Sequence, residues 1–127
     1  MSAETSTTLK SVRLDGRLYY AVGATIRVFD GIKDSLFTTL TGYTINQLGV
    51  FDGRLYATTT ISTTGTVFEI DDAGRVRQIG AVLPSNFLPQ AICLHQNDLF
   101  VTCFKAATLS TVYRIRLVYA LKNIRPL

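Results

Sequence analysis

His95 is the only histidine in the chain, so proton transfer by imidazole at neutral pH would have to run through it. A nucleophilic triad needs that ring oriented by a carboxylate inside a cleft. His95 instead stands beside Gln96-Asn97, between two apolar runs, where a hairpin turn is expected. One histidine with scattered carboxylates also falls short of the three protein ligands of a catalytic zinc. Asp30 with Asp34, and Asp71 with Asp72, offer loop oxygens of the kind Ca²⁺ takes, but neither pair has EF-hand spacing. Aspartate at such turns bonds its own backbone. The expectation is no catalytic residue, no metal site and no cofactor, hence no enzyme.

Cys93 and Cys103 flank the same turn. A two-residue turn sets Cys93 opposite Phe100, and a three-residue turn sets it opposite Leu99. In both cases Cys103 lies roughly 10 Å or more further along, at about 3.3 Å per residue, beyond the reach of a disulfide. Both cysteines are expected to be small core thiols, as suits a reducing compartment.

The elements that must position these residues repeat. Asp15-Gly16-Arg17-Leu18-Tyr19 recurs as Asp52-Gly53-Arg54-Leu55-Tyr56, and Gln96-Asn97-Asp98-Leu99-Phe100 is a degenerate third copy. The residues before each copy are apolar or alternate: Ser11-Val12-Arg13-Leu14, Leu48-Gly49-Val50-Phe51 and Ala91-Ile92-Cys93-Leu94. Asp-Gly between such runs signals a hairpin, because both central residues of a type I′ turn need positive φ. Downstream, Ile26-Arg27-Val28, Phe68-Glu69-Ile70 and Tyr113-Arg114-Ile115 alternate apolar, charged, apolar with the period of a strand. A short final strand follows in each copy, at Phe37–Leu40, Val76–Ile79 and Leu121–Ile124. No segment of helical length shows the 3.6-residue period. The chain is predicted to be one all-β domain, 1–127, of three four-stranded antiparallel repeats at about 8–42, 44–82 and 87–127.

Four-stranded meanders of this kind resemble the blades of a β-propeller, and the Asp-Gly-Arg-Leu-Tyr hairpin is similar to kelch-like and lectin-like blades. The paired glycines of kelch blades and the Trp of WD-repeat and fucose-lectin blades are missing, so the resemblance implies a partial β-propeller fold and carries no functional residue. The β-trefoil and the β-prism are the alternative architectures. Evenly spaced hairpins favour blades, because a trefoil pairs strands between units.

Propellers close with typically 4–8 blades. Three would leave two open ends, and the expected partner is a second copy forming a two-chain six-bladed ring, or a larger assembly. Leu9, Val12 and Leu14 at one end, with Val118, Leu121 and Ile124 at the other, are the candidate assembly faces.

Links between second and third strands, and links between units, should emerge on one rim. That rim would hold Thr58–Thr64, Phe104–Thr108, Gly42–Thr44 and Pro84–Phe87. Tyr43, Thr60, Ser62, Asn86, Phe87 and Lys105 are the candidates there for holding a carbohydrate through hydroxyls, amides and a stacking ring.

With 47% hydrophobic and 17% charged residues in 127, the chain is expected to fold around its own core rather than to be disordered. The formal net charge of +4 falls wholly in residues 85–127, where Lys105, Arg114, Arg116, Lys122 and Arg125 meet Asp98 alone. Arg114, Arg116, Lys122 and Arg125 form a candidate basic patch, without the density of a nucleic-acid stripe. Neither a signal peptide nor a membrane-spanning run is read from the sequence, so a cytoplasmic or particle-associated location is expected. The functional expectation is a non-enzymatic binding or structural module that self-associates or docks through open sheet faces. A lectin-like carbohydrate binder and a structural component of a phage virion are the alternatives.

Overall fold

The computed structural model describes residues 10–80, 83, 88–96, 98–105 and 109–116. Among them the protein is all-β, with three antiparallel sheets and no helix. The first sheet holds β1 (Ser11–Leu14), β2 (Arg17–Val22), β3 (Thr25–Phe29) and β4 (Asp34–Thr39). The second holds β5 (Thr44–Phe51), β6 (Arg54–Ile61), β7 (Thr64–Ile70) and β8 (Val76–Ile79). The third holds β9 (Leu88–His95), β10 (Asp98–Lys105) and β11 (Leu109–Arg116). Strand order follows chain order in every sheet, and no sheet is closed. The fourth strand expected at 121–124 lies outside the described residues.

The turns explain the meanders. Asp15 and Gly16 have φ of 54° and 78°, and Asp52 and Gly53 have 57° and 74°. Both central residues are left-handed, as a two-residue turn twisting with its strands requires, and aspartate is among the few side chains that tolerate this. Gln96 follows suit at 51°, and the third hairpin pairs His95 with Asp98, so it too has a two-residue turn.

The sheets stack face to face, with their first strands β1, β5 and β9 adjacent. Tyr19, Ala21 and Ile26 of the first sheet pack on Leu48, Leu55, Phe68 and Ile70 of the second. Tyr56, Val67 and Ile79 on the opposite face of the second pack on Leu99, Val101, Cys103 and Ile115 of the third. The middle sheet is therefore covered on both sides, and β6 is buried from Leu55 to Thr59. Each sheet thus has a back, toward the preceding sheet, and a front, toward the following one.

Matching backbone bonds dock the links between sheets. Leu40 N–H donates to Ala24 O at 2.8 Å, and Leu83 N–H donates to Gly65 O at 3.0 Å. Ala24 and Gly65 hold the same place in register, Ala24 as the last residue of the β2–β3 turn and Gly65 as the second residue of β7. Leu40 and Leu83 are both buried.

The seam between the second and third sheets is cut by glycines. A Cβ on Gly49 would meet the Phe51 ring at 2.7 Å and Ile92 Cδ1 at 2.9 Å. A Cβ on Gly65 would collide with the Pro89 ring, and one on Gly80 would meet Ile115 Cγ2 at 2.9 Å.

Three sequence expectations are corrected. Thr58–Thr60 belong to β6 rather than to a loop, because β-branched threonine fits a pleated strand and the Thr59 hydroxyl donates to Thr66 O at 2.9 Å. The link to β7 is only Ser62-Thr63, and Phe104 and Lys105 likewise belong to β10. Cys93, opposite Phe100, is exposed on the front of the third sheet, whereas Cys103 is buried. Finally, Val28 is the counterpart of Glu69 and Arg114, since these three oppose Tyr19, Tyr56 and Phe100. The triplet Ile26-Arg27-Val28 is thus offset by one residue from its apparent matches, and one residue changes the face.

Candidate functional site

Two features stand out among the described residues: a pair of sheet faces that no other described sheet covers and a groove between the first two sheets. The faces follow from register. Leu18, Leu55 and Leu99 are equivalent positions on the backs of the three sheets. Leu55 and Leu99 are buried between sheets, while Leu18 is 36% exposed. Phe29, Ile70 and Ile115 oppose those leucines in turn, and only Phe29, at 38%, is exposed. Val22 and Leu36 extend the same exposed face. The face is crossed by a polar network in which the Tyr20 hydroxyl donates to Asp34 Oδ2 at 2.6 Å and Arg27 Nε donates to Asp34 Oδ1 at 3.2 Å. The tyrosine bond, backed by Arg27, holds the Asp34 carboxyl below the ordinary aspartate range.

The front of the third sheet is the converse. Ile26, Val67 and Val112 are equivalent, opposing Ala21, Thr58 and Thr102. Ile26 and Val67 are buried, and Val112 is 57% exposed. Phe100 stands where Tyr19 and Tyr56 are core residues, and here its ring neighbours His95 with centroids 6.2 Å apart.

The groove opens at the rim of the Asp-Gly turns. It has a volume of about 610 Å³, with Leu14, Tyr19 and Phe37 on one wall and Leu55, Ile70 and Val76 on the other. A side pocket of about 220 Å³ is lined by Arg17, Val28, Lys33 and Ser35 among others. Asp71 Oδ1 accepts the N–H groups of Ala73 and Arg75, both at 2.9 Å, and its Oδ2 accepts from Arg75 Nε at 2.8 Å. These bonds, led by the Arg75 amide, keep the Asp71 carboxyl below its usual range. They also shape the β7–β8 turn, whose Gly74 O accepts from the Thr38 hydroxyl at 2.7 Å.

The candidate rim residues are not brought into one site. Tyr43 packs its ring edge-on against Phe68, with centroids 5.1 Å apart. The Thr60 hydroxyl accepts from Asn46 Nδ2 at 2.8 Å, and Ser62 is exposed in a turn with φ of 56°. Lys105 ends β10. Asn86 and Phe87 lie outside the described residues. Of the assembly candidates, Val12 and Leu14 are half-buried on the front of the first sheet, packed against the core rather than on its open back. Leu9, Val118, Leu121 and Ile124 lie outside the described residues. Of the basic patch, Arg114 is exposed and pairs with Asp98 at 4.0 Å. Arg116 ends β11, and Lys122 and Arg125 lie outside the described residues.

Sequence reading missed Asn46, a bulge residue whose Nδ2 also donates to Pro89 O at 2.9 Å and so ties the second sheet to β9. A polar residue inside Thr44-Ile45-Asn46-Gln47-Leu48 was its only signal. It also missed the groove, whose rim is the opposite one from the rim of the linking loops. Among the described residues no group of three metal-ligating side chains comes together, and no helix is long and apolar enough to cross a membrane. The chain matches no family model, no curated protein and no solved structure.

Proposed function

We propose that the chain is a partial β-propeller, a non-enzymatic module that assembles with a second copy of itself through its two uncovered faces. The back of the first sheet on one copy covers the front of the third sheet on the other. The observation carrying this reading is positional: Leu18 and Phe29 are exposed where their counterparts in both other sheets pack against a front. Val112 is exposed where its counterparts pack against a back. The two faces are thus the missing halves of a seam this chain already makes twice.

The consecutive strand order within each sheet, and the adjacency of β1, β5 and β9, support blades rather than the cross-unit pairing of a trefoil. Head-to-tail contact generally makes open filaments. A half-turn, however, carries the first sheet onto the position of a fourth, so two copies close a ring of six. Burying each large apolar side chain contributes about 1.5–3 kcal/mol, so a few of them suffice to hold two chains together.

Sedimentation equilibrium at micromolar concentration tests the reading. A particle of twice the 14.0 kDa chain mass is expected, and a stable monomer would overturn it.

A further inference from the structure

In the second sheet, Glu69 on the front of β7 is clamped by two arginines. Arg77 Nη2 approaches its Oε1 at 2.6 Å and Arg54 Nε its Oε2 at 3.6 Å, with the Glu69 side chain only 12% exposed. The third sheet keeps an ion pair at the same two positions with the signs exchanged. Asp98 stands for Arg54, Arg114 stands for Glu69, and they lie 4.0 Å apart. The first sheet keeps only the cation. Arg17 stands where Arg54 does, but Val28 replaces Glu69 and Ser35 replaces Arg77. What lies over Val28 and Ser35 is the side pocket of about 220 Å³, with Arg17 and Lys33 at its edge.

The one carboxylate lining that pocket, Asp30, is held below the ordinary aspartate range chiefly by backbone amides and, more weakly, by the charge of Arg17. Its Oδ1 accepts the N–H groups of Ile32 at 2.9 Å and Lys33 at 2.8 Å. The wider groove continues from the pocket past Tyr19 and Phe37, with an apolar wall, and its lining charges are balanced, Asp71 pairing with Arg75 and Glu69 with Arg77. Arg17 and Lys33 against the single carboxylate Asp30 leave the lining of the side pocket net positive.

We infer that this pocket binds a small organic carboxylate, its anionic group on Arg17 where Glu69 sits in the next sheet, its apolar or ring-shaped body along the groove. Guanidinium and carboxylate match as a planar, charge-assisted pair. The inference does not depend on self-assembly, because both walls of the groove belong to one chain.

Amide NMR titration of the full chain with benzoate, and in parallel with neutral benzamide, tests it. Benzoate is expected to shift the Arg17, Val28 and Ser35 amides saturably, and benzamide to leave them in place. Arg17→Gln should weaken benzoate by about tenfold or more, the usual loss on deleting one charge-assisted bond. Val28→Glu, which supplies the missing carboxylate from the chain itself, should abolish the response. If Val28→Glu does not fold, Arg17→Gln alone decides. Equal shifts with benzamide, no saturable shift, or unchanged affinity in Arg17→Gln would each overturn the proposal.

Discussion

Leu18 and Leu55 hold the same place in two copies of Asp-Gly-Arg-Leu-Tyr, yet Leu55 is 1% exposed and Leu18 is 36% exposed. Their local structure is the same: a left-handed Asp-Gly turn, then an outgoing strand. The difference comes from a neighbour. Leu55 has the first sheet against it, and Leu18 has no sheet of the described chain on that side.

Charge on that face should separate copies without harming the fold. Leu18→Asp places a carboxylate at a partly exposed strand position of the isolated chain, so it should cost that chain only about 1 kcal/mol of intrinsic stability. The sedimentation mass is expected to fall to that of one chain, with an unchanged β-type circular dichroism spectrum. A mass that stays doubled would remove this face from the interface.

The two thiols should report on the opposite face. Burial pushes the Cys103 thiol up to about 11, so little thiolate exists at pH 8, and its neighbours exclude reagent. Cys93 is exposed on the front of the third sheet. A soluble disulfide reagent should label Cys93 alone in the dilute native chain and both thiols in denaturant. Raising protein concentration should slow Cys93, because the second copy covers it. Concentration-independent labelling of Cys93 would count against assembly through this face.

Two glycines should respond to alanine for different reasons. Gly53 sits at φ 74° with open space around it, so Gly53→Ala should cost about 1 kcal/mol of backbone strain. Gly49 has an ordinary backbone but no room, so Gly49→Ala should cost about 1–3 kcal/mol as Phe51 and Ile92 are pushed aside. Urea denaturation midpoints measure both, and a Gly49→Ala variant as stable as the parent chain would argue against the glycine-cut seam.

Acid should loosen the turns first. Asp30 and Asp71 are held below the ordinary aspartate range in the folded chain, mainly by the backbone amides of Lys33 and Arg75 respectively. A carboxyl depressed by folding contributes its stabilisation fully above its unfolded value and loses it as pH falls through the folded value. Stability should therefore decline below about pH 4, and Asp71→Asn should flatten part of that decline. Thermal melts between pH 2 and 7 would show it, and a variant that keeps the full acid slope would refute the assignment.

The hairpins were legible because their signal is local: Asp-Gly favours a left-handed two-residue turn wherever it occurs, and Tyr19 and Tyr56 follow it at fixed spacing. Which face of a strand meets a neighbour is not local. Cys93 and Cys103 look alike in sequence, but one faces the open side of the third sheet and the other the seam. The threonine run 58–60 misled because hydroxyls suit loops and strands equally, and only its burial between two sheets decides. The Arg17 pocket stayed hidden for a subtler reason. The one-residue offset at Ile26-Arg27-Val28 paired Arg27 with Glu69 in the alignment, so the loss of a carboxylate at Val28 was invisible.

The notch at Gly49 gives the stack a direction of reading. The bulky residue it admits is Ile92, and the same two positions in the preceding seam are Val12 and Leu48. The seam proposed between copies would bring Cys93 and Ser11 to those positions. Each seam is then a distinct pairing of volumes: glycine with isoleucine, valine with leucine, cysteine with serine. A sheet offered to the wrong neighbour meets a bump or a hole of several methylenes, a cost of a few kcal/mol in either direction. Shuffled stackings of these similar sheets are thereby penalised, and the repeat escapes the ambiguity that identical units would carry.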